Sequence, residues 1–458
     1  MKGRISIRGK GQALVLFLGF AAAMIGILLV SFNSGQVTNA KMRAMNAADA
    51  AAYSGAVWQA RSLNFQAYMN RAIVVNEVTI AQSVSLRSWV EYLTRFIDNI
   101  NLVGQFIPYL NVVTRALDKG MEAVDKAVDK ALPRFEDAAR TLTYYEHQAQ
   151  KAFHAGGVAG ATDIATDVAK KNGAEISAGG IALIARNQQQ WEAFTETYSR
   201  SKAPAGAKGD GRARLRAVVL DSRDGFTQNR KWEKGFELVA EGKLNKQGGT
   251  DLINYDAWKG LDSVAFCTGI LKCRPWTPVG WGGAQAYTPN KATAIGTHGS
   301  GNWNRSDGKL AKPRANSNEQ ANKLRFAFSD YRDLQDLDPK NTAKQKIPFA
   351  IEVLVADKDV PTARSAMGAR TALTDGTAIE HDPHYAGSGV YGLAEACVSF
   401  ERPVGEERAD KRIERPSLFN PYWRASLATP GKDTRGIAGA AKKLVPIEVF
   451  AGGHGSCS

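Results

Sequence analysis

The sequence predicts an α+β protein on a membrane anchor: an N-terminal transmembrane helix continuing into a helical stalk, followed by a mixed α+β distal domain. Three observations carry this. No charged side chain occurs between residues 11 and 40. No proline occurs before Pro108, although the 458 residues include 16 prolines. Past residue 214 the apolar residues change from helical spacing to alternation, the period of a strand with one buried face.

The first element is the apolar one. Ala13 to Phe32 reads ALVLFLGFAAAMIGILLVSF. About twenty helical residues rise about 30 Å, the hydrocarbon thickness of a bilayer. Inside lipid a single segment must bond its own backbone, so it is helical. Lys2, Arg4, Arg8 and Lys10 precede it, and such cations hold a terminus in the cytoplasm. The chain then divides into a cytoplasmic basic tail (1–11), a transmembrane helix (12–32), an exported helical region (33–198), a linker (199–214) and an α+β domain (215–458). The apolar run exceeds the ~7–15 residues of a signal-peptide core, so a retained anchor is expected. The alternative is cleavage near Thr38, Asn39 and Ala40.

The exported helical region opens with KMRAMNAADAAAYSGAVWQAR, an Ala-rich run that suits a helix, with Gly35 as the expected kink. Residues 63–117 carry Ile73, Val74, Val78, Ile80 and Ala81 at helical spacing, and Pro108 and Gly120 are expected to end that array. MEAVDKAVDKAL, 121–132, reads as a helix with acid–base pairs on one face, and Pro133 as the start of another running to about Ala152. The Gly- and Ala-rich residues 154–180 read as short helices and turns. The polar run SRSKAPAGAKGDGRAR, 199–214, is the linker.

In the distal domain RLRAVVLD (214–221) is a strand candidate, and KWEKGFELVAEGKLNKQGG (231–249) a strand pair around a polar turn. Phe349, Ile351, Val353 and Val355 alternate onto one face, as do Val390, Ala394, Ala396, Val398 and Phe400. LVPIEVF (444–450) is an edge candidate, because Pro446 lacks the donor a central strand needs. Residues 274–314, with Trp276, Trp281, Trp303 and many glycines, read as a long loop.

The four cysteines are Cys267, Cys273, Cys397 and Cys457. All lie in the exported part, where an even count points to disulfides. Of the three pairings, Cys267–Cys273 with Cys397–Cys457 is favoured, because a short Gly-containing loop separates the first two. The formal net charge of +14 suits anionic lipid heads, surface polymers or acidic partners, but the charges are mostly interspersed, as on a solvated surface. The densest basic patch, GRARLR at 211–216, is too short to argue for nucleic acid.

Chemistry-bearing motifs are weak. GSGVYG (387–392) matches G-x-G-x-x-G, but a strand-like run follows it where the dinucleotide motif needs a helix, so a glycine turn is the reading. His381 and His384 flank Pro383 and lack a third ligand. Asp330, Asp333, Asp336 and Asp338 lack the central glycine and closing Glu of a calcium loop. No G-x-S-x-G, H-E-x-x-H or Walker A pattern occurs. No metal ligand, cofactor or catalytic residue is assigned.

RGKGQALVLFLGFAAAMIGILLVSF and the downstream NAADAAAYSGA together resemble the N-terminal region of TadE/TadG-like proteins of Flp-type (tight-adherence) pilus systems. The matching positions are Gly11, Gln12 and Ala13, then Asn46 through Ala56. LNFQAYMNRAIVVNEVTIAQ (63–82) and SLFNPYWRASL (417–427) look like pieces of the TadG-related branch. Peptidase-processed pilins of such systems usually carry Glu at the fifth residue after the cleavage glycine. Counted from Gly11 that position is Leu16, so the resemblance implies an uncleaved, membrane-held accessory subunit rather than a major fibre subunit.

The NAADAAAYSGA stretch also has its own physics. Ala44, Ala48 and Ala52, with Ala51 and Gly55, form small-xxx-small rows that allow close helix approach. Asp49 sits among them and suits a cation on a neighbouring helix. The expectation is a docking face for another subunit. The implied function is a non-enzymatic, minor-pilin-like accessory role in pilus assembly at the bacterial inner membrane. The implied partners are other pilus subunits and inner-membrane platform proteins, with lipid around the anchor and no nucleic acid. The alternative is a surface-binding module using the Trp-rich basic domain, and a third reading is a metal hydrolase at His381 and His384.

Overall fold

The structure is a computed structural model that describes residues 12–104, 110–199, 211–237, 241–253, 257–268, 276–287, 314–315, 346–356, 359–361, 389–402, 409, 416–441 and 457. Its spine is α1, Gln12–Gly104, a single helix of 93 residues. No proline interrupts it, and the helix runs without a break through Gly35, where a kink is expected from the sequence. A Cβ there would meet nothing, so the position is exposed helix with neither strain nor contact to bend it.

Helix α2, Leu110–Lys171, returns antiparallel along α1. Contacts in reverse order define the pairing: Arg87 with Asp125, Asn76 with Glu146, Asn70 with Gln150, and Trp58 with Gly156. Glu136, Arg140, Thr143, His147 and Gln150 are buried at alternating steps of four and three, the spacing of a coiled-coil seam. Three expectations fail on α2. Gly120 and Pro133 lie inside the helix, and the Gly-rich run past 154 stays helical to Lys171. Pro133 costs a backbone bond, on the order of 3 kcal/mol, and burial of Leu132 and Ala139 beside it works against that loss. The glycines admit neighbours: a Cβ on Gly157 would lie 2.6 Å from the Trp191 ring, and one on Gly160 would meet the Trp58 indole.

Helix α2 ends on Gly173 at φ 73°, with Gly173 N–H bonding the Lys170 carbonyl (3.0 Å) and Ala174 N–H the Ala169 carbonyl (3.0 Å). That left-handed cap turns the chain into β1, Glu175–Ile176, and then α3, Ala178–Ser199. Two short helices follow, α4 (Gly211–Asp221) and α5 (Gly225–Gln228). RLRAVVLD is therefore helix, not strand. Short apolar runs carry no decisive period. Here Val219 packs into the core while Arg216 and Arg223 donate to the Leu252 and Thr250 carbonyls.

Five strands form one sheet: β2 (Trp232–Glu237), β3 (Glu241–Ile253), β4 (Ala257–Thr268), β5 (Thr277–Tyr287) and β6 (Arg314–Ala315), in that order. The β2–β5 pairs are antiparallel and β5–β6 is parallel. The tract read as loop thus contains a strand, β5. Its glycines face the helix: a Cβ on Gly282 would strike the Ser88 carbonyl and Tyr92 N of α1, and one on Gly280 would crowd Phe96.

The second sheet runs β1, β7 (Lys346–Val355), β8 (Val390–Phe400), β9 (Trp423–Ala428), all antiparallel, with α6 (Lys432–Ala441) after it. Phe349, Ile351, Val353 and Val355 face a core shared with Ala44, Ala48 and Ala52 of α1 and Ala161, Ala165 and Ala169 of α2. Ala350 faces the other way, onto Leu183 of α3 and Ala438 of α6. This sheet is therefore covered on both faces. The molecule is α+β, and both sheets lie along α1 rather than beyond its end.

Cys397 and Cys457 form a disulfide with Cα atoms 5.5 Å apart. Cys267 is also disulfide-bonded, and Cys273 lies outside the described residues. Outside them too are Gly11, Pro108, Trp303, the Asp330–Asp338 run, His381, His384 and LVPIEVF.

Candidate functional site

The N-terminal part of α1 has two successive surfaces with opposite environments. The first is the apolar rod. Helix α1 holds an 18-residue window of mean hydropathy 2.8, none of it buried. Leu16 is 74% exposed and Phe20 66%. A Cβ added at Gly19 or Gly26 would meet nothing, so no other part of the described fold packs there. An exposed aliphatic helix of this length suits hydrocarbon, where its backbone is already satisfied. Gln12 opens the helix and Leu16 lies on the rod.

The second surface is the small-residue face, where the sequence leads to the expectation of a docking site for another subunit. Ala44, Ala48, Ala51 and Ala52 are each 0% exposed. They are covered by this chain's own α2, β7 and β8. A Cβ on Gly55 would collide with the Phe349 ring, and one on Gly392 of β8 would strike the Ala44 carbonyl. The small side chains do permit close approach, but the neighbour they admit is internal. Asp49 is half-buried at the same level. Lys41 Nζ donates to the Tyr391 carbonyl at 2.5 Å, pinning the start of β8 just beyond the rod.

Farther along α1 a buried ionic cluster fastens the five-stranded sheet. Asp262 of β4 is 0% exposed and accepts from Arg230 Nε (2.8 Å), Arg230 Nη2 (2.9 Å) and Ser88 Oγ (2.6 Å). Lys246 of β3 also donates to it and lies 4.4 Å from the centre of the Tyr92 ring. Ser85 and Thr250 share a hydroxyl bond of 2.7 Å beside them. Burial, then the charge of Asp262, pushes the Tyr92 phenol up to about 12. Burial pulls the Lys246 ammonium down, against the attraction of Asp262. Every group points into the helix–sheet contact, so the cluster's chemistry is adhesion of two elements. The sequence reading named none of these residues. An inward Asp in a strand was the available signal, and nothing local showed which face of β4 is buried.

Of GSGVYG, Gly387 and Ser388 lie outside the described residues, Gly389 has φ 103°, and Val390 to Gly392 open β8, so a strand follows where the dinucleotide motif needs a helix. Among the described residues no group of three or more His, Cys, Asp and Glu is placed to hold a metal ion.

Comparison with known proteins bears on the first two surfaces. No curated protein and no solved structure matches the chain. Residues 11–60 match the family model Tad, described as Flp pilus-assembly TadE/G-like. The matched stretch spans the apolar rod and the buried small-residue face, and ends short of Ile73, where α1 begins to pack on the five-stranded sheet. Residues 11–60 of this chain are thus a Tad segment, TadE/G-like, which supports a role in Flp pilus assembly.

Proposed function

We propose that this chain is a non-enzymatic, minor-pilin-like accessory subunit of Flp pilus assembly, anchored once in the bacterial inner membrane with its N-terminus in the cytoplasm and its bulk in the periplasm or on the fibre. The observation that carries the reading is the coincidence of the Tad match with an unburied membrane-length helix. The fold beyond it is large and irregular, unlike a repeating fibre subunit. Its partners are other pilus subunits and inner-membrane platform proteins. They meet the outward face of the anchor in lipid, because the small-residue face is already filled. Leu16 leaves no carboxylate in the bilayer to balance a freed amine, so the N-terminus stays unprocessed at Gly11.

Deletion of the gene, with fibres counted by electron microscopy, tests the role. Fibre loss, restored by the full-length chain, is expected; normal fibres without the protein end the proposal. Intact-mass measurement from native membranes tests the anchor. The full-length mass is expected, and a species lacking the first 11 residues overturns the unprocessed reading.

A further inference from the structure

Helix α2 carries two seams of the same period, and their chemistry is reversed. The seam that faces α1 is largely polar: Glu136, Arg140, Thr143, His147 and Gln150 are buried there. The outward seam is apolar. From Met121 to Ala152, all ten positions at alternating steps of three and four carry apolar residues. The repeat therefore holds at 3.5 residues, where a stripe made for a straight helix drifts with its 3.6. The large members of this seam face solvent: Val124 is 43% exposed, Phe135 60%, Leu142 53% and Tyr145 60%. Every residue from 121 to 152 is described. An amphipathic helix ordinarily turns such a stripe toward its own core, but here α1 is met by the polar one.

We infer that the outward seam of α2 pairs with the same seam of a second copy of this chain, in parallel and in register. The period selects the class of partner. A lipid surface or an extended peptide imposes no 3.5-residue repeat, whereas a helix wound on α2 stays on one stripe only if that repeat is kept. The flanking side chains select a copy in the parallel sense. In that sense Gly120 of one copy lies beside Asp125 of the other, Arg134 beside Ala139 and Thr141 beside Glu146, and no like charges meet along the seam. Reversing one copy so that the seam overlies itself brings Asp125 beside Glu146 twice, and flanking charges of one sign repel. Phe135 lies between Ala131 and Ala138 on the seam, and those short side chains leave room for two rings in one layer. The seam is roughly 45 Å long and 10 Å wide. Pairing thus covers on the order of 500 Å² of each copy and about 1,000 Å² in all, where a specific interface begins. Two copies anchored in one bilayer also run parallel, but the inference stands on the seam and its flanks and needs no anchor.

Full-length protein in mild detergent tests the pairing in two ways. Detergent-corrected light scattering should give a particle of twice the chain's 49.5 kDa. The Phe135→Glu, Leu142→Glu double variant should weaken the dimer about tenfold or more, since each side chain forfeits apolar burial. Both positions are exposed, so helix content by circular dichroism should not change. Leu142→Cys, oxidised with copper phenanthroline, should give a disulfide-linked dimer, because each position of a parallel, in-register seam faces itself. Lys130→Cys, exposed but off the seam, should not. No free cysteine competes among the described residues. A monomer overturns the inference, and so does a dimer indifferent to the glutamates. Cross-linking that requires Leu142→Cys on one copy and Ala131→Cys on the other shows the reversed sense and overturns it too. A monomer whose Leu142→Cys is shielded from maleimide in native membranes also overturns it and assigns the seam to another subunit's helix. None of these readouts involves fibres or processing at Gly11, so failure of the pairing and failure of the assembly role are seen separately.

Discussion

Asp262 gathers two cations, Arg230 from the connection between α5 and β2 and Lys246 from β3, and a hydroxyl from α1, Ser88, all out of water. Such a cluster adds little net stability over an apolar one, but removing one member is costly, because the remaining charges stay buried without their counterpart. Asp262→Ala leaves two buried cations facing each other and should cost about 3–5 kcal/mol. Lys246→Met, which removes a cation and keeps the Arg230–Asp262 pair, should cost far less. Urea unfolding of both variants checks the ordering; equal losses would mean that the cluster is solvated rather than dry. Thr114 of α2, whose hydroxyl donates to Asn101 of α1 at 2.8 Å, shows the same lesson without a charge. A polar group's consequence depends on what surrounds it, and composition alone does not reveal that.

At the scale of elements, the strands were legible where one face alternates, as in Phe349–Val355, and α1 was legible through its missing prolines and its alanines. What was not legible depends on contacts distant in sequence. Gly157 and Gly160 stay helical because Trp191 and Trp58 press on them. Gly280 and Gly282 look like loop residues, yet they mark where α1 lies on β5. The small-residue rows of α1 were readable as a close-approach surface, while the identity of the neighbour was not, since β7 and β8 lie some three hundred residues away. Close approach predicts a graded cost. At Gly392 the obstacle to a Cβ is the Ala44 backbone, whereas at Gly55 it is the Phe349 ring, which can turn. Gly392→Ala should therefore cost about 3 kcal/mol or more and Gly55→Ala less, since overpacking is worst where nothing can yield. At Gly436, where a Cβ meets nothing, alanine in α6 should be neutral or stabilising by up to about 1 kcal/mol. Thermal melts of the three variants give the ranking.

The whole molecule is organised by α1, which carries the exposed apolar rod at one end and is the common floor of both sheets along its length. The linker at 199–214 marks a break in composition, but the four-stranded sheet draws β1 from before it and β7, β8 and β9 from after it. Cutting the chain there would strip the α1-facing side of that sheet, including Phe349, Ile351, Val353 and Val398, and expose Leu252, Trp258 and Ala284 of the other. An apolar area of that kind drives association in water. A fragment of residues 215–458 should consequently aggregate or bind hydrophobic dyes, whereas residues 33–458, which lose only the tail and the rod, should unfold cooperatively. A sharp, reversible melt from 215–458 alone would show that the sheets do not need α1. Helix α1 would then be an appendage rather than the floor of the core. The coupling bears on the proposed function: any force or partner that tilts the apolar rod acts directly on the element to which both sheets are fixed.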